Sequence, residues 1–250
     1  MEVKIRSLSR LLGFSVFVLL ALGSDELYAS EAKIIQYEVS YISVPLLDMT
    51  LNWVEDDSSI HVTYDNRLKP FIGFFYPIHN IYREHFSKGS FEPLDWSKAV
   101  SESGLHFELN ALRSHDGNYA IFSDGRQSSF PPGGFTVFSA THYLARNARQ
   151  PDFFPRKIKV FIDGEIWEAV ATHYDSTHPH PDHSLDPDEV LIQTDLRYLS
   201  GQSLLKQNDI LTSVIATEGT RFVLWVDKNG DYSRAQFGKF PKAVVLDRKN

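Results

Sequence analysis

Apolar and polar residues alternate with a period of two along much of the chain, and this pattern limits the fold more than any other feature. The alternation covers residues 35–41, 105–111, 158–162, 190–198 and 222–226. It is typical of strands that bury one face against a core and expose the other to water. Turn-forming pairs separate the segments, and Asp163-Gly164 is the clearest hairpin turn. The pattern predicts a mainly β fold: a strongly curved antiparallel sheet, or an incomplete or spiral β-barrel.

One segment departs from this period and predicts a helix. Residues 136–147 follow a Pro-Pro-Gly-Gly run and place apolar side chains at helical spacing. Thr136 stands where an N-cap residue is expected, and Arg146 falls near the end, where a cation suits a helix C-terminus. We expect this one helix to pack against the curved sheet.

The N-terminus predicts export. Basic residues within the first ten positions precede an apolar run at 11–23, and small residues follow. This layout is typical of a signal peptide, which we place at 1–29, and an uncleaved membrane anchor is the alternative. The rest, 33–250, is predicted to be a single exported β-rich domain with no membrane span in the mature chain. The chain has no cysteine, so its stability must come from its core, which suits the periplasm of a Gram-negative bacterium.

Charge and motifs exclude several functions. The formal net charge is −7, and an acidic protein has no electrostatic attraction to nucleic acid. No nucleophile elbow, zinc-protease helix or phosphate-binding glycine loop is present. We therefore assign no catalytic residue and expect no cofactor.

An aromatic cluster is the main candidate for ligand binding. Its members are Phe71, Phe74, Phe75, Tyr76, Tyr82 and, from the predicted helix, Phe138. They suit the lining of an apolar ligand cavity, and ordinary core packing is the alternative. Because Gly73 and Pro77 interrupt residues 71–82, we expect a loop there rather than a regular strand.

A histidine-rich stretch offers a second candidate site. His173, His178, His180 and His183 are potential metal ligands, since imidazole binds zinc, copper and nickel. Their spacing matches no rigid metal site, and the intervening prolines favour an extended, solvated segment. We favour an exposed polar loop over a metal site.

Three stretches suggest a family. These stretches are residues 130–146 (FPPGGFTVFSATHYLAR), 223–240 (VLWVDKNGDYSRAQFGKF) and 37–41 (YEVSY). In this order, they resemble the helical segment, the C-terminal hairpin and the first strand of exported bacterial proteins, domain of unknown function family 3108. The likeness spans most of 33–247, and it departs at Pro45-Leu46 and in the loop at 175–189. The resemblance implies a β-rich periplasmic protein similar in shape to lipoprotein carriers, with no established catalytic residues.

These observations predict a non-enzymatic periplasmic protein of the cell envelope. We expect it to bind a lipid, a lipid-linked glycan or an envelope protein partner. The alternative is a periplasmic hydrolase or sugar-modifying enzyme, which requires a histidine such as His79 or His142 to lie beside a carboxylate in a pocket.

Overall fold

The computed structural model describes residues 31–70, 77–174, 188–205, 208–238 and 243–249, and these residues form a mainly β fold. The strands are β1 (Glu31–Tyr41), β2 (Val44–Glu55), β3 (Ser59–Leu68), β4 (His79–Ser87), β5 (Pro93–Glu102), β6 (Leu105–Arg113), β7 (Tyr119–Phe122), β8 (Gln127–Ser129), β9 (Arg156–Ile162), β10 (Glu165–His173), β11 (Val190–Gly201), β12 (Arg221–Val226), β13 (Tyr232–Phe237) and β14 (Val244–Arg248). The helices are α1 (Val137–Arg146) and α2 (Ile210–Ile215).

The strands form one antiparallel sheet whose order explains how the chain is laid out. The order is β8-β7-β6-β5-β4-β3-β2-β1-β14-β13-β12-β11-β10-β9. Strand β1 therefore lies in the middle of the sheet, the strands up to β8 run outward by hairpins to one edge, and β9 to β14 return from the opposite edge. β14 ends beside β1, with Val39 paired to Leu246. Among the described residues no strand ladder joins β8 to β9, which confirms the predicted incomplete barrel.

Residues between β8 and β9 bring the two edges of the sheet close together. Phe135 forms an isolated bridge with Val160 of edge strand β9. Phe130 packs on Phe161 with ring centroids 5.1 Å apart. At the other edge, Ser128 donates a hydrogen bond of 3.3 Å to the carbonyl of Gly164. Side chains and a short connecting segment thus bridge the seam where a closed barrel has strand pairing.

The predicted hairpin at Asp163-Gly164 joins β9 and β10. Both residues have positive φ, 48° and 106°, as the tight turns of two-residue hairpins require. A Cβ atom at Gly164 would stand 2.5 Å from the carbonyl oxygen of Gln202. The close approach and the backbone conformation both require glycine there.

Helix α1 packs inside the curved sheet, as predicted. Thr136 is its N-cap and forms a capping box with Ser139, which satisfies backbone donors that a helix start leaves free. Ala140, Leu144 and Ala145 are buried in the main core, where α1 contacts β4 and β9. The helix therefore fills the concave side of the sheet.

The structure differs from the prediction in two local features. A second helix, α2, follows the N-cap Asp209 and was not expected, because six residues are too few to show a helical period. Residues 79–82 belong to strand β4 rather than to a loop. The interruptions at Gly73 and Pro77 lie before the strand and do not break it.

Two predictions fall partly or wholly outside this description. The signal peptide at 1–29 lies outside the described residues, so it and the exported domain at 33–250 stay predictions. Neither α1 nor α2 has the length and apolar character that a bilayer-crossing helix needs.

Candidate ligand-binding cavity

A cavity of about 380 Å³ lies between the inner face of the sheet and the two helices. We call it the apolar cavity, because most of its lining is aliphatic or aromatic. The apolar lining residues are Val39, Tyr41, Leu46, Leu47, Met49, Leu68, Ile78, Tyr82, Phe138, Ile210, Leu211, Val214, Tyr232, Phe237, Val244 and Leu246. Its volume falls in the range of roughly 300–1,000 Å³ that is typical of small-molecule sites.

Two of the six predicted lining residues meet in this cavity. Tyr82 of β4 and Phe138 of α1 lie with ring centroids 5.4 Å apart, and both line the cavity. Phe138 also stacks on Tyr64, at 4.1 Å between centroids. The other four, Phe71, Phe74, Phe75 and Tyr76, lie outside the described residues.

A buried ionic cluster fixes helix α2 beside the cavity. Lys98 of β5 contacts the carboxylates of Asp163 and Asp209, at 3.0 Å from Asp209 Oδ2. Asp209 also accepts hydrogen bonds from the backbone N–H of Thr212 and from the hydroxyl of Tyr82, both at 2.9 Å. The cluster joins β5, the β9–β10 turn and the start of α2.

Charge pairing sets the titration of Lys98 and Asp209 in this cluster, whereas burial outweighs the attraction of Lys98 and raises the pKa of Asp163. Burial disfavours the charged forms, but the Asp163 and Asp209 carboxylates outweigh it and raise the pKa of Lys98. Burial likewise opposes ionisation of Asp209, yet Lys98 and the Thr212 hydrogen bonds hold its pKa below the usual value. Lys98 and Asp209 are therefore charged at neutral pH.

One end of the apolar cavity is polar. Glu102 at the end of β5 accepts hydrogen bonds from the Asn80 side-chain amide at 2.6 Å and from the backbone N–H of Ile210 at 3.2 Å. Both bonds end on Glu102 Oε1. Asn66 and Asn208 complete this polar end. The side-chain oxygen of Asn208 is buried and has no hydrogen-bond partner among the described residues.

A buried carboxyl from β4 lies at the start of helix α1, and no cation pairs with it among the described residues. Glu84 of β4 accepts hydrogen bonds from the Thr136 hydroxyl at 2.7 Å and the Ser139 backbone N–H at 3.1 Å. Burial raises the pKa of Glu84 to about 8, although both hydrogen bonds act in the opposite direction. Glu84 is therefore mainly protonated at neutral pH.

A second cavity, of about 340 Å³, borders the C-terminal half of α1. We call it the polar cavity, because charged side chains line it. Lys33 pairs with Asp231, and Glu55 pairs with Lys88 at 2.8 Å and with Arg146 at 3.8 Å. Its charges are thus largely neutralised within the protein.

Of the two histidines that the hydrolase alternative names, His142 shares the polar cavity with the carboxylates of Glu55 and Asp231. His142 lines the polar cavity, but its Nε2 lies 2.5 Å from the hydroxyl of Tyr64. Burial, together with the charges of Arg146 and Lys33, lowers the pKa of His142 to about 3. His79 lies 3.0 Å from Asp65 on the exposed surface. Within the described part of the chain, no hydrogen bond joins His142 to a carboxylate.

The histidine-rich stretch is only partly described. His173 ends β10, and its ring packs on Phe154 with centroids 4.6 Å apart. His178, His180 and His183 lie outside the described residues. No group of metal-binding side chains is found among the residues that are described, so neither the metal site nor the solvated loop is tested.

Sequence reasoning missed the polar residues that surround the apolar cavity. Lys98, Val100 and Glu102 alternate along β5 and are all buried. Two charged residues on the buried face of a strand signal a paired or functional site, since unpaired charges are rarely buried. The sequence shows the alternation of these residues but not that their face of the strand is buried, and the partners Asp163 and Asp209 lie far along the chain.

Comparisons with known proteins support the fold. No protein-family model matches this sequence, and none of the curated proteins does. Among solved structures, the chain is similar to a β-barrel-like protein of domain of unknown function DUF1849 from Brucella abortus, with a TM-score of 0.53 and 8% identity. The match covers 88% of this chain and 96% of the other. The chain therefore has a β-barrel-like fold, and its resemblance to family 3108 stays a prediction.

Proposed function

We propose that this protein is a non-enzymatic periplasmic protein of the cell envelope that holds the apolar chain of a lipid or similar amphiphile in its apolar cavity. The observation that carries the proposal is the cavity itself, about 380 Å³ and lined mainly by apolar side chains. Burying an alkyl chain there would remove it from water at a gain of about 0.8 kcal/mol for each methylene group.

The anchoring of the walls supports a preformed site. Phe138 stands on α1, whose capping box and buried face fix it to the sheet. Leu211 stands on α2, which the buried Lys98–Asp209 pair holds in place. Rigid walls favour binding because less conformational entropy is lost when the ligand enters.

The periplasmic setting comes from the signal peptide predicted at 1–29, and the envelope role from the resemblance to family 3108. Both are parts of the proposal. The similar structure from Brucella abortus supports the fold only.

A cavity-filling variant tests the proposal. Leu47 lines the cavity, and Leu47→Trp is expected to weaken binding of decanol at least tenfold, because the larger side chain occupies the ligand volume. Val54 lies on the same strand with its side chain 38% exposed on the opposite face, so Val54→Trp is the matched control. Isothermal titration calorimetry measures both, and circular dichroism verifies folding.

Two results would contradict the proposal. The first is no measurable decanol binding to the wild-type protein. The second is equal loss of binding in both tryptophan variants, which would mean that the alcohol binds outside the cavity. Native mass spectrometry of protein purified from its own cells would then identify a natural ligand or show none.

A further inference from the structure

The polar end of the apolar cavity is unbalanced in its hydrogen-bonding groups. Three of its side-chain donors are used within the protein: the Asn80 amide donates to Glu102, the Asn66 amide donates to the carbonyl of Asn80 at 3.4 Å, and the Tyr82 hydroxyl donates to Asp209. The acceptors are not all used. Glu102 is 4% exposed. Both hydrogen bonds that it accepts from described residues end on Oε1, and no described residue donates to Oε2.

A second unused acceptor lies in the same lining. The side-chain oxygen of Asn208 is buried without a hydrogen-bond partner in the described structure. A buried acceptor without a partner costs about 1–3 kcal/mol, so a ligand that donates to it recovers that free energy. Glu102 and Asn208 thus form a pair of acceptors at one end of an apolar chamber.

The charges of the lining point in the same direction. Among the described lining residues, Glu102 is the one with a charged side chain. None of them is a lysine, an arginine or a histidine. Lys98, four residues before Glu102 on β5, is engaged by Asp163 and Asp209. A carboxylate or phosphate placed beside Glu102 would meet a like charge and no cation, which is unfavourable in a buried site.

We infer that the polar end of the apolar cavity selects amphiphiles whose head group donates hydrogen bonds, as a hydroxyl or ammonium does, over amphiphiles with an anionic head group. The inference rests on the proposed function, since it assumes that the chain of the ligand occupies the cavity. It adds the chemistry of the head group and the residues that recognise it.

Three probes of equal chain length separate the two proposals. The full protein, without its predicted signal peptide, is titrated at pH 7 with decanol, decylamine and decanoate. Decanol and decylamine are expected to bind at least about tenfold more tightly than decanoate, as one hydrogen bond to a charged group implies. No binding of any probe would overturn the proposed function, whereas decanoate binding as tightly as decanol would overturn only the head-group inference.

A substitution reverses the polarity of the proposed contact. In Glu102→Gln, the amide oxygen can keep the bonds from Asn80 and Ile210, and the amide NH₂ then stands where Oε2 was. Decylamine is expected to bind about tenfold more weakly and decanoate more tightly. The control is Glu108→Gln, which makes the same charge change at an exposed position on β6 and should leave all three affinities unchanged.

A second variant keeps the test decisive if Glu102→Gln does not fold. Asn208→Asp is expected to strengthen decylamine binding several-fold and to weaken decanoate binding, because it adds a carboxylate at the unused acceptor. Unchanged affinities in this variant would overturn the inference, and so would a Glu102→Gln protein that folds and retains the wild-type order of affinities.

Discussion

Helices α1 and α2 both border the apolar cavity, but different chemistry fixes their first turns. At α1, the buried Glu84 accepts hydrogen bonds from Thr136 and Ser139 and pairs with no cation in the described part of the chain, and its pKa rises to about 8. At α2, the buried Asp209 faces Lys98, and its pKa stays below the usual value. Two buried carboxyls at similar positions therefore differ in charge at neutral pH.

The difference shows what each helix depends on. Helix α1 has ten residues and a face buried in the core, so packing holds it and its cap needs only neutral hydrogen bonds. Helix α2 has six residues, and Ile210 at its start is 40% exposed. Because its own packing is limited, the ionic cluster around Asp209 must contribute more to its position.

The largest expected effect comes from removing the cation of this cluster. Lys98→Met leaves Asp163 and Asp209 as buried carboxylates without a counter-charge, which should lower the free energy of unfolding by about 3–5 kcal/mol. Urea denaturation at pH 7 measures it. Lys157→Met, at an exposed position on β9, is the control. A loss of less than about 1 kcal/mol in Lys98→Met would show that the cluster does not anchor α2.

The sequence predicted the sheet and α1 because their signals are local. The alternation at 35–41 and 222–226 became β1 and β12, and the N-cap at Thr136 became the start of α1. These patterns depend only on neighbouring residues and on which face is buried. Strand order across fourteen strands has no such local signal.

The cavity was predictable only in part. Tyr82 and Phe138 were identified by aromatic character, and the fold brings them together in the lining. Glu102 and Asn208 were not identified, because their role depends on contacts between residues more than a hundred positions apart. The contact between the Ile210 backbone and Glu102 joins two such distant positions.

A change at α1 should give a smaller effect that depends on pH. Because the folded state raises the pKa of Glu84 from 4.5 to about 8, it binds a proton that the unfolded chain releases in this interval. The stability that Glu84 contributes is fully present below pH 4.5 and is lost as the pH rises through 8. Glu84→Gln keeps the hydrogen-bond acceptor and cannot ionise.

The measurement compares unfolding free energies at pH 5 and pH 9. The variant's unfolding free energy minus that of the wild type should be greater at pH 9 than at pH 5. We expect this increase to be on the order of 3 kcal/mol. Glu108→Gln, on the exposed surface, should follow the wild type at both values. Parallel pH profiles for wild type and Glu84→Gln would contradict the view that α1 is capped by a neutral carboxyl.

The smallest effects compare two tyrosine hydroxyls, one for each helix. Tyr82 donates to the charged Asp209 at α2, at 2.9 Å. Tyr64 pairs with His142 of α1 at 2.5 Å, and His142 is neutral at pH 7 because its pKa lies near 3. A hydrogen bond to a charged group contributes about 1.5–3 kcal/mol, and one between neutral groups about 1 kcal/mol.

Tyr82→Phe should therefore cost more stability than Tyr64→Phe in urea denaturation at pH 7, while both rings keep their packing against Phe138. The reverse order would mean that Lys98 and Thr212 already satisfy Asp209, and that α2 does not depend on Tyr82.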